Sequence, residues 1–252
     1  MFKIYLNDIR VALSLLTRLP INVPEGAYER ANNAVWAYGA AGVVWAICVW
    51  SVASLCMAGG LATPIAAGFG LINGILVTGA MHEDGLADCA DGFWGGWERE
   101  RRLEIMRDSR LGVYGILALI VSTGLRWQLV TMVLEDKKSF LAMLLAGMLA
   151  RSILPLIMAH LPQARSDGLS HSVGIPTGSS VYFSLVISVL ISLVFLGVTG
   201  VMLAVIAACT GLLCGLLARK KIGGQTGDVL GASVVVVEII VLSTYILLKG
   251  DA

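Results

Sequence analysis

Four carboxylates crowd into one short stretch, MHEDGLADCADGFWGG (81–96), of a chain that is otherwise mostly apolar. On a helix, Asp84, Asp88 and Asp91 are four and three residues apart, so their side chains share one face. Like charges at such spacings repel by roughly 0.2 to 0.5 kcal/mol per pair unless a cation bridges them. Oxygen ligands without thiolate or imidazole partners favour Mg²⁺ or Mn²⁺, and Mg²⁺ leaves positions for substrate phosphates. The stretch therefore predicts a metal site, with Mg²⁺ the expected cofactor and Glu83 a fourth candidate ligand.

The alternative for this stretch is a solvated acidic loop, the usual structure of a charge run. Here Gly85, Leu86, Ala87 and Ala90 fill the gaps between the acids, where a solvated face would carry Lys, Ser or Gln. An EF-hand is excluded, because its ligands alternate along the loop and end in a distal Glu. His82 adjoins the acidic run and is a candidate for substrate binding.

Two arginines flank an aspartate in RDSRLG (107–112). Guanidinium groups hold phosphate oxygens through two parallel hydrogen bonds, so Arg107 and Arg110 would suit a phosphorylated substrate beside the acidic stretch. Arginines at a membrane boundary also serve only to fix topology, and both interpretations stay open for this pair. Asp108 and a serine lie between the two arginines.

A third motif, GGQTGDVLGA (223–232), precedes the last apolar segment. Its glycines allow backbone N–H groups to approach a ligand, and a helix N-terminus follows, so an anion could be held there. The candidate substrate contacts are Gly223, Gly224 and Thr226. Asp228 is a candidate helix cap or a second metal ligand.

Three residues that are charged at neutral pH lie inside apolar segments: Arg126, Arg151 and Glu238. An acid within the membrane is costly, so a functional or paired role is the default for Glu238, which is a further candidate for substrate binding. Buried charges need partners, and we expect the two arginines to pair with Glu238 or with each other's neighbours.

The rest of the chain predicts the elements that position these residues. The 252 residues are 57% hydrophobic and 14% charged, with a mean hydropathy of +0.84, far more apolar than a soluble domain. A spanning helix needs about 20 apolar residues. Seven segments qualify: 35–57, 61–80, 112–134, 139–160, 180–197, 200–217 and 229–248. We expect an all-α fold, a polytopic helical membrane protein with one domain over residues 1–252.

The charges outside the spans predict the orientation. With the N-terminus inside, the inner segments are 1–34, 81–111, 161–179 and 218–228. They carry thirteen Lys and Arg residues, whereas the outer side has Lys137, Lys138 and Lys249. By the positive-inside rule the inner segments face the cytoplasm, which places all three motifs on one face of the membrane.

We expect no signal peptide in the first residues, because Asp8 and Arg10 interrupt any apolar core. The pattern predicts instead an amphipathic helix at the membrane surface. The residues expected in lipid are Phe2, Ile4, Leu6, Ile9, Leu13 and Leu16.

Taken together, the motifs resemble those of the cobalamin-5'-phosphate synthases, also called adenosylcobinamide-GDP ribazoletransferases. The matching stretches, in the family's order, are LLTRLPI (15–21), HEDGLADCADG (82–92), EIMRDSRLGVYG (104–115) and GGQTGDVLGA with Glu238 beyond it. Many members of that family have an apolar residue where this chain has Glu83. The resemblance therefore favours Asp84, Asp88 and Asp91 as the core ligands.

The resemblance implies transfer of α-ribazole, or its 5'-phosphate, to adenosylcobinamide-GDP with release of GMP, a late step of coenzyme B12 synthesis. The aspartates would hold one or two Mg²⁺ ions on the diphosphate, and Arg107 and Arg110 would neutralise the GMP phosphate. Arg18 would be a further phosphate contact, and Asp108, Asp228 or Asp91 would accept the hydroxyl proton. The implied location is the bacterial inner membrane. The expected partners are these small molecules and the bilayer, with no nucleic acid, and a homo-oligomer stays open.

Two other classes compete with this interpretation. CDP-alcohol phosphotransferases and aromatic prenyltransferases also place aspartates around Mg²⁺, but DGLAD has Asp88 where the former carry an Arg, and the Asn-Asp pairs of the latter are missing. An ion-coupled transporter would place its acids near the bilayer midplane. Glu238 is the residue that best supports the transporter.

Overall fold

The computed structural model describes residues 2–250 and the side chains of residues 2–249. The helices are α1 (Phe2–Leu16), α2 (Ala31–Ala34), α3 (Tyr38–Ala58), α4 (Thr63–Thr78), α5 (Met81–Gly95), α6 (Arg99–Ile105), α7 (Val113–Leu134), α8 (Ser139–Ser152), α9 (Leu154–His160), α10 (Leu169–Val173), α11 (Gly178–Ile222) and α12 (Gly227–Gly250). Short 3-10 turns flank α2. Within this range there is no strand, only an isolated bridge between Gln163 and Gln225. The all-α prediction is confirmed.

Apolar helices long enough to cross a membrane account for most of the chain. Within the described residues, five segments qualify: Ala27–Ala58, Val113–Leu134, Ser139–His160, Gly178–Ile222 and Gly227–Lys249. A sixth forms only if α4 and α5 count as one span, since they meet at an angle of 85°. The polytopic membrane fold is confirmed, and the predicted number of seven is approximate.

Of the two spans by which the numbers differ, one is α4, which does not qualify alone, and the other lies in the 45-residue α11, which consists of two helices on either side of a break at Gly197. Ser184 donates a hydrogen bond to the carbonyl of Ser152, and a Cβ at Gly211 would touch Ile153. In a straight helix, residues 184 and 211 would be about 40 Å apart. The chain therefore reverses at Gly197, whose φ of 59° suits glycine.

Close backbone approaches hold the helices together. A Cβ at Gly42 of α3 would lie 1.9 Å from the carbonyl oxygen of Gly147 in α8, and one at Gly70 of α4 would lie 2.6 Å from that of Val49. Small residues allow such contacts where lipid removes the hydrophobic drive between helices. The core formed in this way is centred on α3, α8 and α12.

The amphipathic helix α1 is present, but only its first turns face outward. Phe2 is 82% exposed and Ile4 is 45% exposed. In the second half, Val11 and Leu16 are buried against the helix core, so the expectation that Leu16 lies in lipid is wrong. Asp8 is also buried and accepts a hydrogen bond from the indole of Trp36.

The turn between α4 and α5 directs the acidic stretch away from the direction of α4. Two consecutive residues, Gly79 and Ala80, have left-handed backbone angles, which end α4. The Arg18 side chain lies over this turn, and a Cβ at Gly79 would come within 2.4 Å of its Nε. The backbone N–H of Arg18 also donates to the carbonyl of Val77. Arg18, predicted as a phosphate contact, is exposed and packs against the turn between α4 and α5.

Candidate active site

The first turn of α12 packs against α5 through two glycines. A Cβ at Gly85 would lie 2.6 Å from the backbone oxygen of Asp228, and one at Gly231 would lie 3.1 Å from that of Met81. Larger side chains at either glycine would push the helices apart. The contact brings the acids of α5, beginning with Asp84, beside Asp228.

An open cavity of about 430 Å³ lies at this junction. Its wall comes from α5, from the segment after α6, from the segment between α9 and α10, and from the start of α12. The charged residues of the wall are Asp84, Arg107, Arg165, Asp167 and Asp228. The structure thus brings together side chains from all three motif-bearing segments that the topology placed on one face.

Two ion pairs cross this cavity. Arg165 binds the carboxylate of Asp228, which also accepts a hydrogen bond of 3.2 Å from the Thr226 hydroxyl. The Arg107 guanidinium lies 2.8 Å from Asp167. Sequence reasoning did not select Arg165 or Asp167 as site residues, because neither lies in a recognisable motif. Their position in one of the few charged inner segments was the available signal.

Asp88 lies one helical turn beyond Asp84 and is half-buried. Its helix, α5, does not qualify as a span by itself. Burial, and then the carboxylates of Asp228 and Asp84, raise the pKa of Asp88 to about 7 although Arg165 acts in the opposite direction. Negative charge is therefore in excess around Asp88, and a cation there would relieve the repulsion.

The donor set suits a hard cation that takes only part of its coordination from protein. Among the residues that the structure describes, no three His, Cys, Asp or Glu side chains converge closely enough to hold a metal. Mg²⁺ is commonly bound by one or two carboxylates, with waters and substrate phosphates completing its shell. Asp84, Asp88 and Asp228 supply carboxylates of that kind beside an open cavity.

Asp91 of α5, predicted as a metal ligand, is buried against the beginning of α7. Its two carboxylate oxygens accept hydrogen bonds from the backbone N–H groups of Gly112 (2.8 Å) and Gly115 (2.9 Å). These are donors that a helix N-terminus leaves unpaired, and a negative charge there is favourable. In this structure Asp91 is a helix cap that joins α5 to α7.

Asp108 and Arg110, both predicted to be catalytic, pair with each other. The Arg110 side chain donates to both Asp108 oxygens and its backbone N–H donates to one. These hydrogen bonds lower the pKa of Asp108 to about 2. A carboxylate with so low a pKa is a weak base near neutral pH. Neither residue belongs to the wall of the cavity.

The GGQTG segment is held by the segment that follows α9. Gln225 N–H donates to the carbonyl of Pro162, and Ala164 N–H donates to that of Gln225. A Cβ at Gly224 would lie 2.0 Å from the Pro162 oxygen, so only glycine allows this pairing. Gly223 and Thr226, the other predicted substrate contacts of this motif, lie at helix ends. Gly223 ends α11 with a φ of 80°. The Thr226 hydroxyl accepts a hydrogen bond from the N–H of Val229 and so caps α12.

Glu83 and Glu238 lie in a second charged group, deep between the helices, that we call the buried ladder: Glu83, Arg126, Glu238 and Arg151. Arg126 bridges the two acids, and Glu238 also binds Arg151. Both guanidinium groups lie over the ring of Trp45, at 5.7 and 5.3 Å from its centroid. The predicted pairing of the arginines with Glu238 is confirmed. Glu83 points into this ladder, whereas Asp84 lines the cavity.

His82 occupies a third environment. It is 3% exposed and lies in the wall of a separate apolar cavity beside the charged one. The residues predicted from one acidic stretch therefore divide among the charged cavity, the helix cap, the buried ladder and the apolar cavity.

Known proteins resemble this chain over nearly its whole length. The family model described as cobalamin-5-phosphate synthase matches residues 8–246. An adenosylcobinamide-GDP ribazoletransferase of Bradyrhizobium diazoefficiens is 42% identical over 93% of this chain and 91% of its own. Proteins of the same name from Mesorhizobium japonicum (94% and 92%) and Shewanella frigidimarina (90% and 89%) are each 38% identical. No solved structure shows a significant match.

Proposed function

Because the chain belongs to the cobalamin-5-phosphate synthase family, we propose that it is a membrane-bound adenosylcobinamide-GDP ribazoletransferase. It joins α-ribazole, or its 5'-phosphate, to adenosylcobinamide-GDP. A ribose hydroxyl oxygen forms a bond to the phosphorus on the cobinamide arm, and the bond from that phosphorus to the bridging oxygen of GMP breaks. The observation that carries this proposal is the cavity in which carboxylates and arginines from separate segments meet.

The residues of the cavity suit phosphoryl transfer, which depends mainly on positioning and charge neutralisation. Arg107 and Arg165 line the cavity, and in this proposal they bind the diphosphate oxygens and stabilise the leaving GMP. Their present partners, Asp167 and Asp228, keep the guanidinium groups oriented across the cavity. Asp228, at the first turn of α12, is the carboxylate that accepts the hydroxyl proton.

A magnesium ion is part of the proposal, with Mn²⁺ as the alternative. Asp84 and Asp88 would hold it, with Asp228 close by, and the excess negative charge around Asp88 supports this assignment. When bound, the ion would supply charge neutralisation at the diphosphate.

The proposed location is the bacterial inner membrane, with the cavity facing the cytoplasm. The distribution of basic residues supports this orientation. Lys249 lies 2.8 Å from Asp136 and lines the same cavity as Lys137 and Lys138, and this grouping of the predicted outer lysines supports the proposed orientation. Substrates that carry nucleotide phosphates would then reach the cavity from the cytoplasm.

A coupled transporter is less well supported. Its best evidence was Glu238, an acid at membrane depth. In the structure Glu238 is fully buried and bound by two arginines, so it offers no accessible site for a coupled ion or proton.

The experiment uses the full chain purified in detergent with adenosylcobinamide-GDP, ribazole 5'-phosphate and Mg²⁺. We expect GMP and a corrinoid product in equal amounts. EDTA should abolish the reaction, and added Mg²⁺ or Mn²⁺ should restore it. Folded protein that releases no GMP above background would refute the function, and turnover that resists EDTA would refute the metal.

A further inference from the structure

His82 is a buried polar side chain without a partner. Neither ring nitrogen accepts or donates a hydrogen bond within the part of the chain that the structure describes. Arg126 and Arg151 lie near enough to act on it electrostatically, but both pair with acids of the buried ladder and neither donates a hydrogen bond to His82. A buried polar group in this state costs free energy, which a ligand with a complementary polar atom would recover.

Apart from His82 and Ser170, whose hydroxyl donates to Gln225, the wall of the cavity that His82 faces is apolar. Its deep wall is formed by Leu16, Tyr38, Leu154, Met158, Val173 and Leu230. The free space is narrow, about 40 Å³, and the half-exposed Leu169 stands at its edge. Such a site suits a flat, uncharged ring that displaces Leu169 as it enters.

This apolar cavity adjoins the charged one. Met81, Leu169 and Gly227 belong to the walls of both. A Cβ at Gly227 would meet no atom within 4 Å, so the backbone between the two cavities is open. One ligand could therefore place an apolar ring beside His82 and a sugar or phosphate group among the acids and arginines.

We propose that the apolar cavity binds the aromatic base of the ribazole substrate, with a His82 ring N–H donating to the unsubstituted ring nitrogen of the base. This inference rests on the proposed ribazole transfer. A benzimidazole is flat and apolar and keeps one acceptor nitrogen after the other is bonded to ribose. The ribose hydroxyl would then lie toward Asp84 and Asp228.

The test compares two ribosides in the GMP-release assay with purified full chain: ribazole, and an indole riboside in which a C–H replaces the acceptor nitrogen. For the wild type, the KM for the indole riboside should be about tenfold higher, as expected for one lost hydrogen bond. In His82→Phe, which keeps an aromatic ring without the donor, the KM for ribazole should rise and the difference between the ribosides should disappear. The KM for adenosylcobinamide-GDP should stay unchanged.

A second variant, Met158→Phe, narrows the cavity and should raise the KM for both ribosides equally; it carries the test if His82→Phe does not fold. Ile72→Phe, at a site that is 55% exposed on the outer surface of α4, is the size-matched control and should leave every KM unchanged. Equal discrimination in wild type and His82→Phe, or a rise in the corrinoid KM alone, would overturn the base site. A wild type that releases no GMP would instead refute the proposed function and the inference with it.

Discussion

The charged cavity and the buried ladder contain the same chemical groups and use them differently. In the ladder, two carboxylates and two guanidinium groups alternate, and all four side chains are almost fully buried. The open wall of the cavity has three aspartates and two arginines, and the neighbouring Asp88 adds a fourth carboxylate. The positive and negative charges of the ladder balance, whereas the cavity has a net negative charge that a cation would neutralise.

The difference has a clear physical origin. A buried charge needs a partner of opposite charge beside it, because only that attraction offsets the free-energy cost of removing the charge from water. At the edge of the helices, water can solvate an excess of charge until a metal ion or a phosphate replaces it. Adjacent residues of α5 show both outcomes, since Glu83 points into the ladder and Asp84 lines the cavity. Two consecutive residues therefore differ in role: Glu83 belongs to the buried ladder, and Asp84 is a proposed metal ligand.

The largest expected effect comes from neutralising the cavity. Asp84→Asn and Asp88→Asn each remove a proposed metal ligand while keeping the shape of the side chain. We expect turnover to fall about a thousandfold or more, since a metal ion supplies several kcal/mol to such a transition state. The unfolding temperature in detergent should hardly change, because neither side chain supports the core.

The matched control is Asp167→Asn, which lies in the same cavity wall and pairs with Arg107. Its loss should weaken binding of the GDP substrate without abolishing turnover. If Asp84→Asn or Asp88→Asn kept wild-type turnover, that residue would be removed from the metal site.

Breaking the ladder should have the opposite signature. Glu238→Leu leaves Arg126 and Arg151 buried without their shared acid, and removing one partner of a buried pair costs about 3 to 5 kcal/mol. We expect a much lower unfolding temperature and poor recovery of folded protein. Thermal unfolding in detergent measures this effect.

Arg101→Met supplies the comparison, since it breaks an ion pair with Glu104 at the surface, where the two side chains are 66% and 67% exposed. An exposed pair contributes about 1 kcal/mol or less, so its unfolding temperature should stay close to that of the wild type. An equally stable Glu238→Leu variant that had lost turnover would instead place Glu238 in the reaction, as the sequence interpretation had it.

The helical membrane class, an approximate number of spans and the family could be predicted from sequence, because hydropathy and motif order are local properties. The division of the acids could not. Helical spacing predicted that Asp84, Asp88 and Asp91 share one face. In the structure, Asp91 accepts hydrogen bonds from the backbone of α7. Because α6 separates α5 from α7 in the sequence, helical spacing within α5 could not predict this contact. Arg165 and Asp167 enter the cavity only because the segment after α9 pairs with the GGQTG segment, a contact without any sequence signature.

A smaller effect is expected at Asp91, and it separates a helix cap from a metal ligand. Asp91→Ala leaves two N–H groups of α7 without acceptors, which should lower stability by about 0.5 to 2 kcal/mol. Asp91→Asn keeps one oxygen acceptor, so its stability should lie between that of the wild type and that of Asp91→Ala. The Mg²⁺ concentration for half-maximal turnover should stay within a few-fold of the wild-type value. A large rise in that concentration with unchanged stability would identify Asp91 as a ligand.

The smallest effect is expected at the exposed Arg110 and Asp108 pair. Arg110 lowers the pKa of Asp108 to about 2, so Arg110→Ala should return that pKa toward its ordinary value. Asp108 then stays ionised above pH 6 in both proteins, and the pH–rate profile from pH 6 to 9 should keep its shape, with turnover changed less than about fivefold. Because the folded-state pKa is depressed, the stabilisation from this pair is present above the unfolded-state pKa and disappears as the pH falls through about 2. A loss of turnover by about a hundredfold at saturating substrate would instead place Arg110 on the leaving GMP.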